Sequence, residues 1–147
     1  MNNKTMRNRQ QNQGRVPVSN LPSITETNFA KVAEEAITSL KRNKYGEFEV
    51  TTSQIRVLLS MTNNFYNVLL EERAETLGSN LKSMIQYLRM KFAYQAGRDG
   101  NVKDFVTKAH LMRELENIGA SREKAILFCK YMESLVAYHK YHGGRDR

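Results

Sequence analysis

The fold is decided most clearly by residues 51–70, which read TTSQIRVLLSMTNNFYNVLL. Thr51 and Gln54 have the spacing of a capping box, in which two side chains satisfy free amides at the start of a helix. Apolar residues then recur at three- and four-residue steps, the period of one helix face; they are Ile55, Leu58, Leu59, Tyr66, Leu69 and Leu70. The stretch therefore predicts an amphipathic helix, which we expect to end near Thr76 and Gly78.

The same period recurs on both sides of this helix. Proline is absent after Pro22, and no useful run of β-branched residues alternates in the way that predicts a strand. Four further helices are predicted: from a capping box at Ser23 and Glu26 to about residue 41, from about Ser79 to Arg98, from about Val102 to Ile118, and from Ser121 to a stop at Gly143 and Gly144. Amphipathic helices joined by short loops favour an all-α fold, a compact bundle of about five helices.

Residues 1–23 differ from the rest of the chain. They contain both prolines, a Gln/Asn-rich run and almost no large apolar side chain. Such a segment cannot bury enough surface to offset the entropy lost on ordering. We therefore predict a flexible basic N-terminal tail, residues 1–23, followed by a single helical domain, residues 24–147.

The charge balance favours a polyanionic partner. Lys and Arg total 23 against 15 Asp and Glu, a net charge of +8, and released counterions drive such proteins onto phosphate chains. Cys129 is the single cysteine, so an intramolecular disulfide is excluded and a reducing compartment is expected. Neither a signal peptide nor a membrane-spanning apolar run is present. We expect a cytoplasmic protein with no membrane partner.

The helix predicted over residues 79–98 carries the strongest binding signal. Basic and aromatic side chains flank its apolar stripe: Tyr87, Lys91, Tyr94 and Arg98 on one side, and Lys82, Gln86 and Arg89 on the other. This pattern is typical of a surface that binds phosphates and stacks on bases or sugars. In the alternative interpretation, the tyrosines edge the core and the charges only solvate a face. The absence of acidic residues between Thr76 and Arg98 favours binding.

Catalytic and metal signals are weak throughout the sequence. His139 and His142 have helical spacing, but no third ligand of suitable spacing is nearby. His110 is isolated, and Cys129 falls on an apolar helix face, which predicts a core residue. No phosphate-cradling glycine loop, nucleophile elbow or carboxylate cluster occurs. We expect a protein that is not an enzyme and that needs neither a cofactor nor a metal.

Four groups of residues resemble a known family, the small subunit of type III-A CRISPR-Cas interference complexes, called Csm assemblies. The groups are TTSQIR with LLS in residues 51–60, IQYLR through Phe92, Tyr94 and AGR in residues 85–98, VKDFV in residues 102–106, and FCKYME, LVAYHKY and GG in residues 128–144. None is a catalytic signature. Their combination in the right order makes the resemblance specific.

The resemblance implies a helical subunit without nuclease activity in antiviral defence. Copies would stack head to tail as an inner filament beside other CRISPR effector subunits. They would hold the target RNA and guide RNA duplex through its phosphates while a different subunit cuts. The motif match makes Arg56, Arg89, Arg98 and Lys140 candidate RNA contacts, and the geometry of the third predicted helix adds Lys91. Members of the family often have arginine at the position of Lys91. Lysine has the same charge as arginine but cannot bind a phosphate through two parallel bonds.

Other interpretations remain at this point. A helix-turn-helix regulator would read duplex DNA with the helix that begins at Asn80, and a purely structural adaptor would use its charge only for solubility. Arg56 could instead pair with a glutamate. Lys41, Arg42 and Lys44 are expected to face the negative end of the first helix rather than a ligand.

Overall fold

The structure, a computed structural model, describes residues 20–147. Most of the predicted tail therefore lies outside the described residues, and within the overlap Leu21 is buried. Six helices follow in order: α1 Phe29–Thr38, α2 Thr52–Glu71, α3 Ser79–Arg98, α4 Gly100–Lys108, α5 Leu111–Ile118 and α6 Arg122–Tyr141. The predicted all-α fold is confirmed, with six helices rather than five. Within residues 20–147, pairing of the β type is limited to two isolated bridges, Arg42 with Phe48 and Thr76 with Ser121.

The extra helix arises at His110, whose φ of 53° lies in the left-handed region. This conformation ends α4 and lets α5 begin one residue later, where a single helix was predicted. Ala109 and Leu111 are both buried on either side of the break. Because the apolar pattern continues across it, periodicity alone does not reveal the break. The hydroxyl of Tyr131 donates to the carbonyl of Ala109 at 2.8 Å and helps to hold the chain at this point.

Helix α1 is shorter than predicted at both ends. The predicted capping box at Ser23 and Glu26 was wrong, because Asn28 precedes the helix and accepts from the Thr25 amide at 2.6 Å. The helix ends at Thr38, so its last turn contains no basic residue, and Lys41, Arg42 and Lys44, expected to face its negative end, follow it in the chain. The guanidinium of Arg42 instead lies 3.9 Å from the centre of the Phe48 ring and donates to the carbonyl of Gly46.

Helix α2 begins with the predicted capping box at Thr51 and Gln54, which is confirmed, and ends at Glu71, before the predicted Thr76. Arg122 explains the early end, because its guanidinium donates to the carbonyls of Leu69 at 2.9 Å and Glu72 at 3.2 Å. Two carbonyls at the C-terminal end of α2 are thus satisfied by a side chain of α6.

The long helices α2, α3 and α6 form the frame of the molecule. Helices α2 and α3 run antiparallel, since Gln54 donates to Asp99 at 2.7 Å at one end and Asn80 donates to Glu72 at 3.3 Å at the other. Helix α6 packs against α1, α2 and α5. The largest fully buried side chains fill the centre: Tyr131, Phe65, Phe92, Phe105, Phe128, Ile37, Ile55 and Leu58.

None of the helices in this part of the chain is both long enough and apolar enough to cross a membrane. Helix α6, although buried at eight of its twenty positions, still carries six lysine, arginine and glutamate residues. Its apolar side chains serve the core of the bundle.

Candidate nucleic-acid interface

Helix α3 buries only a narrow stripe, made of Leu81, Ile85, Leu88 and Phe92. Tyr87 and Tyr94 point away from this stripe and are 58% and 65% exposed. The alternative in which these tyrosines edge the core is therefore wrong. Two aromatic rings on the outer face of a helix are available to a partner.

The basic residues of α3 lie on its exposed surface. Lys82, Arg89, Lys91 and Arg98 are all exposed, and none forms an ion pair with any carboxylate between residues 20 and 147. Two of these cations lie beside tyrosine rings. The Lys91 ammonium lies 6.0 Å from the centre of the Tyr87 ring, and the Arg98 guanidinium lies 5.9 Å from that of Tyr94. Such cation–π contacts leave the cation able to bind an anion.

Arg56 is exposed on the second turn of α2 and, in the described part of the chain, has no glutamate or aspartate partner. The alternative of an intramolecular ion pair at this position is not found. Because Gln54 bonds to Asp99, the start of α2 lies beside the end of α3. Arg56 and Arg98 therefore belong to the same end of the molecule.

Lys140 reaches that end from α6. Its ammonium lies 3.5 Å from a carboxylate oxygen of Asp146, and both side chains are exposed. A pair of this kind in water contributes about 0 to 1 kcal/mol, so an RNA phosphate would meet little resistance in displacing it. Arg89 and Lys91 lie further along α3. Arg98 follows Arg89 by nine positions, which corresponds to about 13.5 Å along the helix axis.

His139 is a structural residue of the core. Its Nε2 is 3.0 Å from the Val50 carbonyl, to which it donates, and its Nδ1 is 3.2 Å from the Thr52 hydroxyl, from which it accepts. Burial lowers the pKa of this imidazole, and the hydrogen bond to Val50 opposes the effect only in part. The ring is therefore neutral at pH 7 and fully occupied by two protein partners.

The other candidate reactive residues, His142 and Cys129, are also held by contacts within the protein. His142 is paired through Nε2 with Glu34 at 2.9 Å, so it points to a different partner from that of His139. Cys129 is buried, as predicted, and burial together with the Glu133 carboxylate raises the pKa of its thiol to about 12. A thiol that stays protonated is a poor nucleophile.

Folding stability is expected to fall below pH 6.5 because of His139. With its pKa lowered from the ordinary 6.5, the unfolded chain binds a proton at a pH at which the folded protein does not. The contribution of neutral His139 to the free energy of unfolding is complete above pH 6.5. It is lost as the pH drops below 6.5, by up to about 1.4 kcal/mol per pH unit. Urea unfolding at about pH 7.5 and 5.5 gives the loss of unfolding free energy between the two pH values, for wild type and for His139→Asn. The loss should be larger for wild type, and the difference is the contribution of His139. Equal losses, or an NMR titration midpoint of His139 above 6.5, would contradict it.

One structural feature beside the interface, a docked C-terminal segment, was not predicted from the sequence. The segment after Gly144 folds back onto the start of α2, where the Thr52 amide donates to the Arg145 carbonyl at 2.7 Å and the Ser53 hydroxyl donates to the Asp146 carbonyl. Arg145 also pairs with Glu47 at 2.9 Å. The only local signal was the glycine pair at residues 143–144, which predicted a helix stop but no docking.

The geometry of α2 and α3 does not match a helix-turn-helix. That motif joins two helices by a turn of three or four residues and crosses them at about 90 to 120°. Here residues 72–78 separate the helices, and contacts at both ends hold them antiparallel and side by side. Helix α3, which begins near Asn80, is thus one arm of an antiparallel helical hairpin.

The fold and the exposed face of α3 define an all-α protein that presents one cationic helix to solvent. Residues 25–145 match the protein family described as Csm2 Type III-A. The protein named CRISPR system Cms protein Csm2 from Mycobacterium tuberculosis (strain CDC 1551 / Oshkosh) is 44% identical over 125 residues, which cover 85% of this chain and 99% of that protein. The protein of the same name from Streptococcus thermophilus is 42% identical over 123 residues, which cover 84% of this chain and 98% of that protein.

A more distant relative of the same name, from Enterococcus italicus, is 32% identical over 127 residues, 81% of this chain and 90% of that protein. The chain belongs to the Csm2 Type III-A family and is a subunit of a type III-A CRISPR effector complex. The resemblance noted in the sequence is confirmed.

Proposed function

We propose that the chain is the non-catalytic small subunit that holds the target RNA and guide RNA duplex within its effector complex. Copies stack head to tail as an inner filament beside the other effector subunits, and a different subunit cuts the RNA. The sequence of the target is then read by base pairing and not by this protein. The names of the relatives, which place them in a CRISPR system, support a role in such a complex.

The observation that carries the proposal is the set of exposed cations on α3, which form no ion pair with a carboxylate among residues 20–147. A cation with no carboxylate partner keeps its full charge for a ligand, and an arginine grips a phosphate through two parallel bonds. Arg89 and Arg98 have this capacity, whereas Lys91 supplies charge alone. Arg56 and Lys140 extend the same surface at the end where α2 begins and α6 ends.

Head-to-tail stacking needs two different patches on each copy, because the contact is heterologous. Such contacts form open filaments until another subunit ends them.

Binding of the full chain to an unpaired RNA strand across a salt series tests the proposal. We expect the logarithm of the binding constant to fall linearly with the logarithm of salt concentration, with a slope of about −3.5 if all five candidate cations contact phosphates. The RNA should remain intact after long incubation. A flat salt response would support the adaptor interpretation instead, and selective tight binding to one DNA duplex would support the regulator.

A further inference from the structure

The outer face of α3 contains a repeat of seven residues. Tyr87 and Tyr94 are seven residues apart, and so are the cations that lie beside them, Lys91 and Arg98. The two cation–ring distances, 6.0 and 5.9 Å, are nearly the same. The helix thus presents two copies of one unit, each an exposed tyrosine with a cation one turn further along.

The spacing of the two units matches a stacked polynucleotide. Seven residues advance about 10.5 Å along the helix and nearly complete two turns. Side chains seven residues apart therefore differ in direction by only about 20°. Both tyrosines therefore lie on nearly one line. A strand stacked at about 3.4 Å per nucleotide covers the same distance in about three nucleotides.

We propose that Tyr87 and Tyr94 form two stacking positions for the bases of an unpaired RNA stretch, with Lys91 and Arg98 binding the phosphates beside them. This inference rests on the proposed function and deepens it, because it names the state of the RNA that contacts α3. A base in a duplex hides both faces in the stack, whereas an unpaired base offers a face to an aromatic ring. Stacking tolerates any base, so no sequence preference is expected.

The charge around the tyrosines argues for a nucleic acid as the occupant of this face. Met90, 58% exposed, lies between them and makes the face partly apolar, as at many protein contacts. A second copy meeting the same face, however, would bring Lys82, Arg89, Lys91 and Arg98 against their own equivalents. No acidic residue occurs on α3 to offset that repulsion.

Fluorescence binding of the full chain to oligoadenylate of about 12 nucleotides, alone or annealed to oligouridylate, tests the inference. The double variant Tyr87→Leu with Tyr94→Leu should bind the unpaired strand about tenfold more weakly or worse, since leucine keeps the apolar surface but cannot stack. The matched variant with phenylalanine at both positions keeps the rings and should stay within about twofold of wild type. Binding of the duplex should be equal for all three proteins.

Two results would overturn the inference. The leucine variant would bind the unpaired strand as tightly as wild type, or sedimentation would show that the tyrosines hold a dimer that the leucine variant loses. The proposed function fails separately, because it requires that wild-type binding respond to salt whatever the tyrosines do.

Discussion

Replacing Gly144 with alanine is expected to destabilise the protein by about 2 kcal/mol or more, although the residue lies close to the C-terminus. A Cβ at this position would lie 2.2 Å from Nδ1 of His139 and 2.6 Å from its carbonyl oxygen. The ring is fixed by Val50 and Thr52, so it has no room to retreat. The docked C-terminal segment must then move, and the melting temperature should fall by about 5 °C or more.

Gly97→Ala is the matched control. Nothing lies within 4 Å of a Cβ at Gly97, which is inside α3, and alanine in a helix is favoured over glycine by about 0.5 to 1 kcal/mol. The control should therefore melt at the same temperature as wild type or slightly higher. Differential scanning calorimetry of the two variants measures both effects. Equal melting temperatures for Gly144→Ala and wild type would show that the C-terminal segment is not docked on His139.

Removing the α3 cations should weaken RNA binding by more than about 100-fold. The variant combines Arg89→Ala, Lys91→Ala and Arg98→Ala, and each lost charged hydrogen bond typically costs about 1.5 to 3 kcal/mol. The salt slope should become shallower by about 2, because each phosphate contact on a single strand accounts for about 0.7. Because none of the three residues has a carboxylate partner in the described chain, the fold should be unaffected.

The control for this variant changes the net charge by the same amount elsewhere. Lys31, Lys124 and Lys130 are exposed on α1 and α6, and their combined replacement by alanine removes three charges. If position matters, the control should bind RNA within about threefold of wild type, since only long-range attraction is reduced. Similar losses in both variants would mean that net charge alone drives binding and that α3 is not the interface.

The helices that could be predicted are those whose ends are set by neighbouring residues. The bounds of α3 agree with the prediction, and the caps at Thr51 and Ser121 were found because a cap is a pattern of three or four residues. The early end of α2 could not be predicted, because Arg122 supplies the donors from fifty residues away. The break at His110 was hidden because the apolar pattern continues on both sides of it.

In the candidate interface, too, features set by the local sequence could be predicted and features set by distant contacts could not. The cations and tyrosines of α3 were predicted from helical spacing, since the period places them outside the buried stripe. Their lack of carboxylate partners within residues 20–147 required the structure, as did the meeting of Arg56, Arg98 and Lys140 at one end. Lys140 also has a partner that the spacing did not reveal, Asp146 six residues later.

Lysine acetylation footprinting of the effector complex, with and without target RNA, tests most directly whether the outer face of α3 contacts RNA. Mass spectrometry then reports the reactivity of each lysine in the bound and free states. We predict that Lys91 loses reactivity when RNA binds, while Lys31 and Lys124, exposed on other helices, keep theirs. Unchanged reactivity of Lys91 in an RNA-loaded complex would contradict the account.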